Sequence, residues 1–131
     1  MADTMQFDLV SPERRLSSVQ ASEVRIPGTE GDLTAMPDHA PTITTLRPGF
    51  LNVVSNGTAE EYLVIGGFAE ITASSVSVLA EKAFARVGVS KQDLQAILTE
   101  AETHREKQAG PERDMADRFV ADLVHMLDLM A

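Results

Sequence analysis

The chain contains no cysteine. A disulfide framework and a thiolate metal site are therefore excluded, while the compartment stays open. Tryptophan is absent as well, and aromatics make up 5% of the 131 residues. A core must then be built from Val, Leu, Ile, Ala and Met, and a hydrophobic content of 44% is ample for that. No stretch approaches the roughly 18 continuous apolar residues of a membrane span. Basic residues are few: 11 Lys and Arg stand against 20 Asp and Glu, a net charge of −9. An acidic surface repels DNA, RNA and anionic lipid, so neither nucleic-acid binding nor direct membrane insertion is expected. The opening Met1-Ala2-Asp3-Thr4-Met5 lacks the basic start of a secretion signal and the Arg- and Ser-rich character of a transit peptide. The expectation is a cytoplasmic protein that meets a membrane only through another protein.

What is present divides by period. Met5, Phe7 and Leu9 alternate with Gln6 and Asp8, as in a half-buried strand, and Pro12 stops the run. Leu16 to Ile26 is a looser strand-like stretch closed by Pro27-Gly28. Phe50 to Val54 leads into Ser55-Asn56-Gly57-Thr58, where Asn-Gly predicts a type I′ hairpin because both central residues need positive φ. Tyr62 to Ile65 is the partner strand, and Gly66-Gly67 predicts a break or bulge after it. Phe68 to Leu79 continues the β pattern. Short strands with Gly and Pro punctuation point to a sandwich or barrel-like β domain.

The period changes near Val87-Gly88-Val89, which places a β domain at 1–87 and a helical domain at 88–131. Ser90 caps a first helix with Asp93 three residues on, Val89 and Leu94 are spaced as a staple, and Leu94, Ile97, Leu98 and Ala101 form one face. Gly110-Pro111 ends it and starts a second helix. Met115, Phe119, Leu123, Met126, Leu127 and Met130 are its predicted stripe, a core face that also suits an adaptable binding surface. The two read as an antiparallel hairpin, and the fold class as α+β.

The chemistry of catalysis is missing. Gly66-Gly67 is not followed by the Lys-Ser or Lys-Thr of a phosphate loop, and no Gly-x-Ser-x-Gly elbow or His-Glu-x-x-His zinc motif occurs. Asp122-x-x-His125 has the spacing of half a bundle metal site but no second half, so a solvated helix face explains it better. Glu100 and His104, one turn apart, read as a surface pair. His39 lies in Met36-Pro37-Asp38-His39-Ala40-Pro41, a Pro-restricted loop. Loops of this kind present binding residues, and a structural imidazole bonded to a nearby carbonyl is the equal alternative. No enzyme activity, cofactor or metal is expected.

Several segments, taken in order, resemble the epsilon subunit family of rotary ATP synthases. They are Phe7-Asp8-Leu9-Val10-Ser11-Pro12-Glu13, the acidic loop within Ile26 to Leu33, Leu46-Arg47-Pro48-Gly49, Ile65-Gly66-Gly67-Phe68-Ala69-Glu70 and Val76 to Ala80. Met36 to Pro41 resembles that family's Pro-Gly-His-Ala-Pro loop, with Asp38 in place of Gly. The resemblance implies a β-sandwich of about ten strands followed by a two-helix hairpin. It further implies a non-catalytic central-stalk role at the cytoplasmic face of the bacterial inner membrane. The partners implied are the gamma subunit and the c-ring of the membrane sector, with alpha and beta subunits reached through the hairpin. Glu30, Gly31 and Asp32 then face the ring, and His39 falls at the contact with gamma and the ring. A free-standing ligand-binding β domain with a helical dimerisation hairpin accounts for the periods but not for the ordered motifs. Some members bind ATP through Ile or Leu followed by Asp-x-x-Arg-Ala. Here Gln92-Asp93-Leu94-Gln95-Ala96-Ile97 keeps Asp93 but lacks the Arg.

Overall fold

The computed structural model describes residues 3–130, and the chain separates into two units, Met1–Arg86 and Val87–Ala131. The first holds eight strands: β1 (Met5–Ser11), β2 (Arg14–Ala21), β3 (Glu23–Gly28), β4 (Gly31–Ala35), β5 (Thr42–Thr45), β6 (Gly49–Ser55), β7 (Thr58–Ile71) and β8 (Ser75–Ala85). Their hydrogen-bonded order is β2-β1-β8-β7-β6-β3-β4, with β5 joined to β7. All pairs are antiparallel except β1 with β8, which run parallel.

The strand-like stretch from Leu16 to Ile26 is two strands rather than one. Ser22 separates β2, which pairs with β1, from β3, which pairs with β4 and β6. Likewise the β pattern from Phe68 to Leu79 turns back through Thr72–Ser75, where the Thr72 hydroxyl accepts from the Ser75 amide at 3.0 Å. The Asn56-Gly57 hairpin is present, with φ of 52° and 77° and Ser55 opposite Thr58.

Gly66-Gly67 does not break β7. Both residues have positive φ, 73° and 103°, yet the pairing with β8 keeps one register from Tyr62 to Ile71. The strand bends instead of ending. Before the bend β7 pairs with β6, and after it with β5. One layer is therefore β4, β3, β6 and the first half of β7 with the end of β8. The other is β5, the second half of β7, the start of β8, β1 and β2. Dividing β7 and β8 at the bend yields the expected ten; eight continuous strands build the sandwich because glycine absorbs the turn without losing the ladder.

The core lies between these layers. Phe7, Leu9, Val24, Ile26, Leu51, Ile71, Val76 and Val78 are all buried within it, with every second residue of β1 pointing inward. A Ser22 amide bond to the Val54 carbonyl at 2.8 Å and a Ser55 hydroxyl bond to the Gln20 carbonyl at 2.7 Å stitch β2 to β6 at one margin.

The second unit is a hairpin of α1 (Lys91–Glu106) and α2 (Pro111–Leu129), which pack on each other. Ser90 and Asp93 form a complete capping box: the Ser90 hydroxyl accepts from the Asp93 amide at 3.1 Å, and the Asp93 carboxylate accepts from the Ser90 amide at 2.9 Å. The Ser90 amide, aided by the nearby Ser90 hydroxyl, holds the Asp93 carboxyl below its ordinary pKa. Asp117 receives Arg113 from its own helix at 3.3 Å and Arg105 from α1 at 3.8 Å. The α2 stripe keeps the expected Leu123, Met126 and Leu127, with Phe119 and Met130 half-buried, and departs from expectation at its start. Ala116, Val120, Leu123, Met126 and Leu127 are buried, while Met115 is 66% exposed. Side-chain size had favoured Met115, but the 3.6-residue period that runs through Leu123 and Leu127 passes through Ala116.

Two outcomes follow from this geometry. A Cβ at Gly67 would stand 2.0 Å from the Leu79 carbonyl oxygen, so Gly67→Ala is expected to cost at least about 2 kcal/mol in urea unfolding. Gly57→Ala meets open space and should cost about 1 kcal/mol, from φ alone. For the capping box the sign is fixed by the lowered Asp93 pKa. Its contribution is complete above the unfolded Asp value of about 4 and is lost as pH falls through the folded value. Helicity measured against pH should show an acid loss that Asp93→Asn removes.

Candidate functional site

The segment Glu30, Gly31, Asp32 forms the tip of the β3–β4 hairpin, where Gly28 pairs with Gly31 across Thr29-Glu30. Gly31 has φ of 129°, a conformation that L side chains rarely adopt, so its identity is set by the backbone. Gly28 is set by space: a Cβ there would lie 2.7 Å from the Gly31 carbonyl oxygen. The tip is clamped from outside. The Thr29 amide donates to the Thr45 carbonyl at 2.9 Å, their hydroxyls are 2.6 Å apart, and the Arg47 amide donates to the Pro27 carbonyl at 3.0 Å. Glu30 is exposed and has no ion pair among the described residues. Asp32 is also exposed, but Arg47 holds it in an ion pair. Arg47 escaped the sequence reading as a site residue, although it occupies the basic position of the Leu-Arg-Pro-Gly turn.

His39 sits in the loop between β4 and β5 and is half-buried. Its Nδ1 donates to the Ala40 carbonyl at 2.7 Å, since that oxygen can only accept. Nε2 remains for a partner. Asp38 has φ of 69°, the left-handed conformation that suits Gly, and its amide donates to the Ala73 carbonyl at 2.8 Å in the β7–β8 turn. The loop is thus pinned to the sandwich by its backbone.

The structure does not bring His39 and the acidic tip together. They lie at opposite ends of β5, whose Thr45 end touches Thr29 and whose Thr42 end follows the His39 loop. About 10 Å of strand separates those ends. Between them is a surface the sequence reading did not single out. Ile43 on β5, Phe68 on β7 and Leu79 on β8 are 71%, 41% and 45% exposed, and Phe68 pairs directly with Leu79. The signal was legible as parity, because Phe68 alternates with the buried Ala69 and Ile71 and so must point outward.

No group of three or more His, Asp or Glu among the described residues could hold a metal. Residues 4–86 match the family model for the ATP synthase, Delta/Epsilon chain, beta-sandwich domain. The chain belongs to the ATP synthase delta/epsilon family. It is 54% identical over 123 residues to the ATP synthase epsilon chain of Rhodobacter capsulatus, covering 94% of this chain and 93% of that one. Its fold is similar to a chain of the Euglena gracilis mitochondrial ATP synthase, solved as an OSCP/F1/c-ring assembly, with a TM-score of 0.76 at 19% identity over 98% of this chain and 82% of that one. A chain in the central stalk and c-ring structure of the Tetrahymena thermophila mitochondrial ATP synthase is similar with a TM-score of 0.66 at 15% identity, over 95% and 94%.

For a delta/epsilon chain of this geometry, the exposed Glu30 and Asp32 and the half-buried His39 should carry little of the fold. His39→Ala and Glu30→Ala are expected to shift the stability of the isolated protein by less than about 0.5 kcal/mol. Asp32→Ala should cost under about 1 kcal/mol, the range of an exposed ion pair. Thermal melts of the purified variants check all three, and a large drop for His39→Ala would assign that imidazole to structure.

Proposed function

We propose that this chain is a non-catalytic central-stalk subunit of a proton-translocating ATP synthase, which transmits rotation between the membrane ring and the catalytic head. The observation that carries the reading is the extent of the likeness. The relative named ATP synthase epsilon chain matches 94% of this chain at 54% identity, through the sandwich and the helical hairpin alike. In this reading the β-sandwich seats on the gamma subunit and the c-ring at the cytoplasmic face of the bacterial inner membrane. Glu30 and the Gly31-shaped tip meet polar loops of the ring, and Asp32 meets them together with Arg47. His39 meets gamma or the ring through Nε2. A torque-bearing foot must resist shear, and a ladder that runs unbroken from one layer to the other suits that demand.

The hairpin is the route to the alpha and beta subunits, but its chemistry favours a weak regulatory role. From Lys91 onward it carries five Lys and Arg against nine Asp and Glu. Such a surface is repelled by an acidic partner loop. Asp93, the one retained residue of the ATP motif, already spends its carboxylate on the Ser90 amide. No cation stands at Ala96 to meet a polyphosphate.

The test is fractionation followed by reconstitution. The chain should follow washed membranes and an assembled ATPase, and truncation after residue 88 should leave gamma binding and coupling largely intact. A chain that remains alone in the soluble fraction would defeat the assignment. Calorimetry should show very weak ATP binding, and deleting residues 89–131 should change hydrolysis little. Micromolar ATP affinity or a several-fold rise in hydrolysis would overturn the weak-hairpin reading alone.

A further inference from the structure

We propose that Asn56-Gly57 is a latent self-modification site. The folded β6–β7 turn holds it unreactive, and local opening of that turn lets the Gly57 nitrogen displace ammonia from the Asn56 side chain.

The reaction needs no enzyme. The Gly57 amide gives up its proton, and its nitrogen attacks Cγ of Asn56. An N–Cγ bond forms, the bond from Cγ to the side-chain nitrogen breaks, and ammonia leaves. Water then opens the cyclic imide, which yields either an aspartate or its β-linked isomer, with nothing oxidised or reduced. Glycine permits the attack because it places no Cβ beside the nitrogen. The chain has one other asparagine, Asn52, and the branched side chain of Val53 crowds the corresponding nitrogen there. Asn52 also lies within β6, paired with Arg25 and Glu61.

Asn56 and Gly57 are exposed, and a Cβ at Gly57 would meet nothing within 4 Å, so water reaches the peptide freely. The backbone is what withholds reaction. With φ of 52° at Asn56 and 77° at Gly57, the pair forms a type I′ turn between Ser55 and Thr58. The positive φ and ψ of such a turn set the Gly57 nitrogen nearly anti to the Asn56 Cβ about the Cα–C bond. Ring closure needs the two eclipsed, so the turn must open first.

The two sides of the hairpin are unequally held. On β6 the Ser55 hydroxyl donates to the Gln20 carbonyl at 2.7 Å, and the Val54 carbonyl accepts from the Ser22 amide at 2.8 Å. On β7 Thr58 and Ala59 are exposed. Few buried contacts make that end of β7 the low-cost place to open. The β-linked isomer adds a main-chain carbon to a two-residue loop that has no slack, so Ser55 can no longer pair with Thr58. A chain that has opened there is thus marked by an added carboxylate and a hairpin end that cannot close again.

The experiment holds the full-length chain at neutral pH, in buffer and in denaturing urea, and follows Asn56 by peptide mapping with mass spectrometry. In urea the Asn56 peptide should gain about 1 Da as ammonia is lost and water added. The native chain should react at least about 10-fold more slowly. Ser55→Ala removes the bond to Gln20 and should speed the native reaction at least about 2-fold, with the rate in urea unchanged. A cooperative melt establishes that Ser55→Ala folds, and the wild-type comparison decides alone if it does not. Equal rates in the native and denatured chain would overturn the proposal. So would modification at Asn52 rather than Asn56, or a folded Ser55→Ala chain that reacts no faster than wild type.

Discussion

The Leu79 carbonyl occupies the space that any side chain at position 67 would need. That close approach of β7 and β8 is the constraint on which the β unit depends. It lets one strand of 14 residues leave the first layer, bend at two left-handed glycines and enter the second layer with its register to β8 unchanged. A loop at the same point would end the ladder and leave backbone groups to be satisfied elsewhere. The continuous strand avoids that cost and ties the layers together covalently and by hydrogen bonds.

The surface features descend from the same bend. Past Gly67, β7 exchanges β6 for β5, and β5 touches the acidic hairpin at its Thr45 end and follows the His39 loop at its Thr42 end. The parity of β7 beyond the bend points Ala69 and Ile71 inward, so Phe68 and Glu70 must point outward. Two loops and an apolar row between them are thus held against one strand. Such a frame suits a part that transmits load, because none of its contact groups depends on a mobile linker. The loops are fixed by backbone bonds, Thr29 to Thr45 and Asp38 to Ala73, so their shape does not depend on the Glu30 or His39 side chains.

The helical unit is organised by different physics. Its stability rests on a narrow apolar stripe, one capping box and the Asp117 ion pairs that join the end of α1 to the start of α2. Ion pairs of this exposure contribute modestly. A narrow stripe with an acidic exterior makes a hairpin that folds locally and offers anionic ligands little.

Short-range chemistry was legible in the sequence because its physics is short-range. Alternation placed β1, Asn56-Gly57 announced a hairpin, and Ser90 with Asp93 announced a helix start, each from residues within reach of one another along the chain. Ordered motifs further identified the family, the sandwich and the hairpin. Long-range pairing was not legible. Whether Gly66-Gly67 ends a strand or bends it depends on the Leu79 carbonyl, and whether Leu16 to Ile26 is one strand or two depends on β1 and β6 competing for it. Asp32 reads as a free acid until the fold delivers Arg47 from 15 positions further on. Tertiary structure likewise separated His39 from the acidic tip and gathered Ile43, Phe68 and Leu79 into a row. Those outcomes belong to strand register, an agreement between distant segments that no local pattern encodes.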